Sequence, residues 1–450
     1  MSSTTYSSNN FDLTQSLFLM SWIANYSGVP CGSAKQLADY VYVSYKGTST
    51  EHVNPFKTLN APNLLNKYTL ADGDWDIVWG PAVYQINPCA QKADNTACVL
   101  KDSKTNTYVV AIAGTDAGSI LDWLVEDFQV GKSDRIDWTA FKHSLELIKL
   151  KKTTKPDAVE QISYGTAFGI KALLTGPTAN PAHFQLSTWA PNSDKSLGDF
   201  LISLKSDASS VIVTGHSLGG ALSPTLARWL YDMWHDTPES ATEKHPPVFS
   251  MPTAGPTPGN GLYQDKWDKI FTPGLPEKFP LKNFNTKLGN KVTQLNRDIG
   301  NNCDPVPHAW ANIHSILDTG DHFFWQSVKK LVASKIGHFV NDATMDAAIN
   351  GLVIYLGKKG ASADMTRSKH YQGIEPVWPI NTIDPSTHLP VDVPLLNSDT
   401  AYDLTDKGFQ KFLANVGNIH VWGYSTAAFG IDFATVMQKI AAKNPSKTTS

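Results

Sequence analysis

Ser209 to Trp234, SSVIVTGHSLGGALSPTLARWLYDMW, is the stretch from which the fold can be read. Its first six residues, SSVIVT, are β-rich and apolar, the pattern of a buried strand. In its last fourteen, Leu222, Leu226, Trp229, Leu230 and Trp234 recur at helical spacing. GHSLGG lies between them, where small residues allow a sharp passage from strand to helix. Working outward, Tyr108–Ala113 (YVVAIA) is a second strand, ending at Gly114-Thr115. Val248–Pro252 (VFSMP) is a third, closed by Ala254-Gly255-Pro256. Lys291–Asn296 (KVTQLN) is read as a fourth, leading into a polar loop. Strands alternating with helices predict an α/β fold with a mostly parallel, doubly wound sheet and a site at the carboxyl ends of its strands.

The 450 residues are read as one domain, 1–450. The stretch 308–411 fits the strand–helix rhythm poorly and is expected to be a cap inserted in that domain. It holds a helical piece, FFWQSVKKLVASKIGHFV, and a Pro/Asp-rich loop from Gly373 to Asp399. With 41% hydrophobic and 18% charged residues, the chain has the composition of an ordinary globular protein. A net charge of −3 gives no case for nucleic acid, and Lys149, Lys151, Lys152 and Lys155 read as a solvated cluster. No apolar run reaches the ~18 residues of a transmembrane helix. Phe11–Ala24 lacks a basic region before it and is broken by Asp12, so it reads as an amphipathic helix of the folded protein, and no signal peptide is visible. Cys89 and Cys98 flank a polar loop and are candidates for a hairpin disulfide, at even odds with two free thiols. No Cys/His spacing suggests a metal.

Gly215-His216-Ser217-Leu218-Gly219 carries the chemistry. A Gly-x-Ser-x-Gly pattern alone arises by chance roughly once in five to ten chains of this length. With a strand before it and a helix after it, it has the context of a nucleophile elbow, which presents Ser217 at a strained turn. The helix start places backbone N–H groups and a positive dipole end beside that serine. Acyl transfer also needs donors aimed at the developing oxyanion. One candidate is the N–H of Leu218, directly after the serine. The other is Thr115, in the Gly114-Thr115-Asp116 turn, for which a plain polar turn is the competing reading.

Three motifs together resemble the class 3 lipases, a fungal-lipase-like branch of the α/β-hydrolases, in a bacterial-type form with a large C-terminal insertion. AGTDAGSILDWLVEDF (Ala113–Phe128) is similar to the family's Arg-Gly-Thr strand end followed by Asp-Trp-Leu. Ala113 stands where the family has Arg, a structural anchor of its oxyanion loop. GHSLGGALS is similar to GHSLGGALA, and Thr253–Asn260 (TAGPTPGN) to Phe-Gly-x-Pro-x-x-Gly-Asn. The similarity spans roughly residues 105–310 and 410–431. It implies an α/β-hydrolase fold and hydrolysis of carboxylic esters through an acyl-enzyme, with triacylglycerol the first-choice substrate and no cofactor or metal. A phospholipase A1, a short-chain carboxylesterase or an acyltransferase would use the same machinery, and an inactive lipid-binding homologue is the alternative of another class. The substrate class slightly favours a secreted protein working at a lipid–water interface.

The triad order of this fold is Ser, acid, His. Asp304 follows KVTQLN in NNCDPVPHAW, which is similar to the family's Asn-x-x-Asp-x-Val-Pro; Asp298 is the second choice. For the base there are seven histidines after Asp304. His420, in NIHVWGY, is similar to the family's Gln-His-x-x-x-Tyr, with Ile419 in place of Gln and Tyr424 retained; His370 in SKHYQ is second. His216 is expected to brace the elbow. Ile120, Trp123, Leu124 and Phe128, at helical spacing opposite Asp122, Glu126 and Asp127, suggest an amphipathic lid, against which stands a helix simply packed on the core.

Overall fold

The computed structural model describes most of residues 10–114 and 135–307, and beyond them 369–374, 382–383, 390–391, 420, 423–425 and 428–431. The expected lid, Thr115 and nearly all of the expected 308–411 cap lie outside the described residues.

An eight-stranded sheet organises the chain. Its strands are β1 (Trp75–Tyr84), β2 (Asn95–Asp102), β3 (Thr107–Ile112), β4 (Phe184–Leu186), β5 (Ser210–His216), β6 (Val248–Thr253), β7 (Asp298–Asn301) and β8 (Tyr371–Ile374). Their spatial order is β8-β7-β6-β5-β3-β2-β1-β4. From β8 to β3 every neighbour is parallel, and from β3 to β4 every neighbour is antiparallel. This is the α/β-hydrolase sheet, half parallel and half meander.

Both faces of the central strands are buried, which is why SSVIVT and YVVAIA read as continuous apolar runs rather than alternating ones. Val109, Ala111 and Ile212 face one layer with Leu17, Phe18 and Tyr45. Val110, Ile112, Val211 and Val213 face the other with Leu222, Leu226, Trp229, Ile170 and Leu173. The second layer holds the helix Leu218–His235, whose apolar stripe is the one read from the sequence.

Helix α1 (Leu13–Ala24) departs from expectation: all twelve of its residues are buried, so it is not amphipathic. Its start is a capping box, with the Asp12 carboxylate accepting from Gln15 N–H and the Gln15 side chain accepting from Asp12 N–H, both at 3.0 Å. One side packs on β3 and β5. Its polar side chains are satisfied by chain far along the sequence. Thr14 donates to the Val292 carbonyl at 3.0 Å, Gln15 Nε2 to the Phe429 carbonyl at 2.7 Å, and Asn290 Nδ2 to Asp12 Oδ2 at 2.6 Å.

Two further expectations change. Lys291–Asn296 forms no strand of the sheet. Val292 and Leu295 supply buried side chains, but Asn296 turns left-handed at φ 60°. Asn296 exchanges bonds with the Ser250 backbone instead, its N–H donating to Ser250 O at 2.7 Å and its Oδ1 accepting from Ser250 N–H at 2.8 Å. The strand before the acid therefore starts seven residues later than expected, at Asp298. Of the two readings left open for Cys98, the structure has the free thiol; its candidate partner Cys89 lies outside the described residues. Its position in β2 points it into the layer with Leu100 and Tyr45, and burial raises its pKa to about 12.

Candidate active site

The elbow joins β5 to the helix Leu218–His235. Ser217 sits there at φ 60° and ψ −120°, in the left-handed region that L-residues with a side chain rarely adopt. Neighbours on three sides hold it. The Ser217 N–H donates to the Thr253 carbonyl of β6 at 3.0 Å, and its own carbonyl accepts from Gly220 N–H at 2.8 Å. At Gly215 any Cβ would collide with the Gly219 carbonyl, so the residue two before the serine has to be glycine. The serine is 3% exposed, and its Oγ has no hydrogen-bond partner among the described residues. Leu218 opens the helix, so its N–H is one of the donors a helix cannot use internally.

Asp304 follows β7 and is fully buried. Its carboxylate takes three hydrogen bonds: Val306 N–H to Oδ1 at 3.0 Å, Tyr424 OH to Oδ2 at 2.8 Å, and His420 Nδ1 to Oδ2 at 2.7 Å. A carboxylate only accepts, so His420 Nδ1 carries a proton and donates it, and Nε2 is the ring nitrogen left for other chemistry. That Nε2 is buried and has no partner among the described residues. Asp304 and His420 are 116 residues apart in sequence, and the structure brings them together.

His216 links this pair to the elbow. Its ring centroid is 4.9 Å from that of His420 and 5.2 Å from that of Tyr424. Thr253 Oγ1 donates to the Gly215 carbonyl at 3.1 Å, so at 2.9 Å it accepts from His216 Nδ1–H. Burial first, and the neighbouring His420 second, push the His216 pKa well below the ordinary histidine value. It is a buried neutral ring packed between the elbow and the His420 and Tyr424 rings.

The second choices fall elsewhere. His370 Nε2 meets the Asp268 carbonyl at 3.0 Å, and Asp298 opens β7, where its N–H donates to the His370 carbonyl at 3.3 Å. Thr115 lies outside the described residues, directly after Gly114. Two residues at the site had no sequence signal as parts of it: Thr253, which ties His216 to Gly215, and Asn25, whose Oδ1 accepts from Gly114 N–H at 2.5 Å. No helix among the described residues is long and apolar enough to cross a membrane.

Comparison with known proteins agrees with this architecture. The family description "Lipase (class 3)" matches residues 109–313. No protein of curated function matches the chain in sequence. Among solved structures, M37 lipase is similar at 21% identity and TM-score 0.54, over 96% of this chain and 95% of that one. The triacylglyceride lipase of Rhizomucor miehei aligns at 17% identity over 52% of this chain and 60% of that one, with TM-score 0.29. Lipase II from Rhizopus niveus aligns at 16% over 65% and 74%, with TM-score 0.30. The first of these supports the fold; the other two overlap too loosely to carry weight. Over its segment 109–313 the chain is similar to the class 3 lipase family, which supports a hydrolase acting on esters.

Proposed function

We propose that Ser217 is the nucleophile of a triacylglycerol lipase, with His420 as its base and Asp304 as the carboxylate that orients the base. The observation that carries this reading is the His420–Asp304 bond of 2.7 Å, which engages Nδ1 and leaves Nε2 buried without a partner among the described residues beside the elbow. Ser217 Oγ attacks the ester carbonyl carbon while its proton passes to His420 Nε2. The tetrahedral intermediate collapses, the acyl–oxygen bond breaks, and the alcohol leaves with that proton. Water then attacks the acyl-enzyme, giving its proton to His420, which returns one to Ser217 as the acid departs. Asp304 stays ionised and stabilises the imidazolium. The N–H groups of Leu218 and Thr115 hold the oxyanion, each worth about 3 kcal/mol in the transition state.

A fluorophosphonate probe tests the nucleophile. It is expected to label the wild type at Ser217 and to leave Ser217→Ala unlabelled; labelling that survives the substitution overturns the assignment. A series of p-nitrophenyl esters of increasing chain length, with and without emulsified triacylglycerol, tests the substrate class. Rates rising with chain length and at the interface support the lipase. Activity confined to soluble short-chain esters would make the protein a carboxylesterase without a working lid.

A further inference from the structure

We propose that Asn25 is a positioning residue that holds Gly114 against the elbow on the oxyanion side of the site; the proposal rests on the reading of Ser217 as nucleophile and Thr115 as second oxyanion donor. Gly114 lies two residues past the end of β3 and directly before Thr115, the candidate second donor. A Cβ at Gly114 would lie 2.6 Å from the His216 carbonyl and 2.8 Å from Ser217 Cβ, so its backbone is pressed against the elbow. From that position its N–H donates to Asn25 Oδ1 at 2.5 Å. The peptide nitrogen of Gly114 is thereby spent on Asn25 and is not an oxyanion donor. What the bond does is fix the plane of the peptide from which the chain proceeds to Thr115.

Asn25 is itself held on every side. Its Nδ2 donates to the Ser21 carbonyl at 3.0 Å, and its backbone N–H caps the end of α1 on the Ile23 and Trp22 carbonyls. One turn on, Ser27 Oγ bonds Thr96 Oγ1 at 2.7 Å, and the Thr96 carbonyl accepts from Ala113 N–H at 2.8 Å. The end of α1 and the end of β3 are thus tied to the same point of β2. Ala113, a buried methyl next to Gly114, offers no polar group with which to brace the turn. The brace comes instead from 89 residues earlier in the chain. In a preorganised site a misplacement of about 1 Å costs on the order of 10²-fold in rate.

Asn25→Leu keeps the volume and removes the acceptor. Asn25→Asp keeps an acceptor for the Gly114 N–H. With a p-nitrophenyl ester, Asn25→Leu is expected to lower kcat by roughly 10- to 100-fold with KM within about threefold of wild type. The rate of Ser217 phosphonylation, in which fluoride leaves a five-coordinate phosphorus while charge builds on the phosphoryl oxygen, is expected to fall in parallel. Asn25→Asp is expected to recover at least a few-fold of both rates over Asn25→Leu. A wild-type kcat in folded Asn25→Leu overturns the proposal, as does a loss confined to KM. If Asn25→Leu fails to fold, Asn25→Asp decides alone: a folded variant with rates 100-fold or more below wild type sinks the role of the acceptor. Absence of Ser217 labelling in the wild type would overturn the nucleophile assignment and this proposal with it, whereas normal labelling with an indifferent Asn25 overturns this proposal only.

Discussion

The elbow at 215–219 and helix α1 at 13–24 meet at the same site but come from opposite kinds of sequence. The elbow is a local motif whose parts touch one another within five residues. Helix α1 has no motif, lies outside the matched segment 109–313, and is buried on all sides by β3, β5 and chain from 290–295 and 428–431. Phe18 in its middle stacks on Phe429 at 4.4 Å and meets the His216 ring edge-on at 6.0 Å. A local motif thus presents the serine, while the groups that surround and hold it come from distant parts of the chain. Substitutions in the elbow should therefore cost rate, and substitutions in α1 should cost stability.

Ser217→Ala is the sharpest form of that contrast. It is expected to lower ester hydrolysis by at least about 10⁴-fold. The melting temperature should hold or rise, because the substitution removes a buried hydroxyl without a partner. A drop of several degrees would break the division. Asp304→Asn comes next, with a loss of about 10³- to 10⁴-fold in kcat, since an amide at that position no longer fixes the Nδ1–H tautomer of His420. Retention of full activity would remove Asp304 from the mechanism.

From the α1 side, Phe18→Ala is expected to destabilise the fold by about 3–5 kcal/mol, measured by urea unfolding, while folded protein keeps most of its kcat. A large kcat loss with no stability loss would invert the comparison. The pH dependence of stability sits between the two regions. His216 has a folded pKa below its unfolded value of 6.5, so as pH falls through 6.5 the unfolded chain binds a proton that the folded chain does not. Its contribution is fully present above that pH and is lost progressively below it. Urea midpoints at pH 7.5 and 5.5 should differ less in His216→Asn than in wild type; an unchanged difference contradicts the buried neutral histidine. Tyr424→Phe is the smallest effect: one of three bonds to Asp304 is lost, and a few-fold fall in kcat is expected from a charged hydrogen bond that has two companions.

What could be read from the sequence follows the same division. The strands at 107–112, 210–216 and 248–253 and the helix after Ser217 were legible because both faces of the central sheet are buried and the apolar runs are unbroken. Ser217 and Leu218 were legible because the elbow is local. The choice of Asp304 and His420 came from short matches to a family pattern, and no local property of either residue sets it apart from Asp298 or His370. KVTQLN misled because apolar periodicity reports burial rather than a hydrogen-bonded ladder, and Asn296 breaks the ladder with its own side chain. Asn25 and the all-round burial of α1 were not legible, since the polar groups that satisfy Thr14, Gln15 and Asn25 lie 89 to 414 residues away.

Ser217, His420 and Asp304 are proposed to act as one unit, and a crystal structure of the phosphonylated protein decides whether they do. The account predicts phosphorus bonded to Ser217 Oγ, His420 Nε2 within about 3 Å of that oxygen or of the leaving-group position, and the His420–Asp304 bond retained. Phosphorus on another residue, or a different histidine in reach of the adduct, would contradict it.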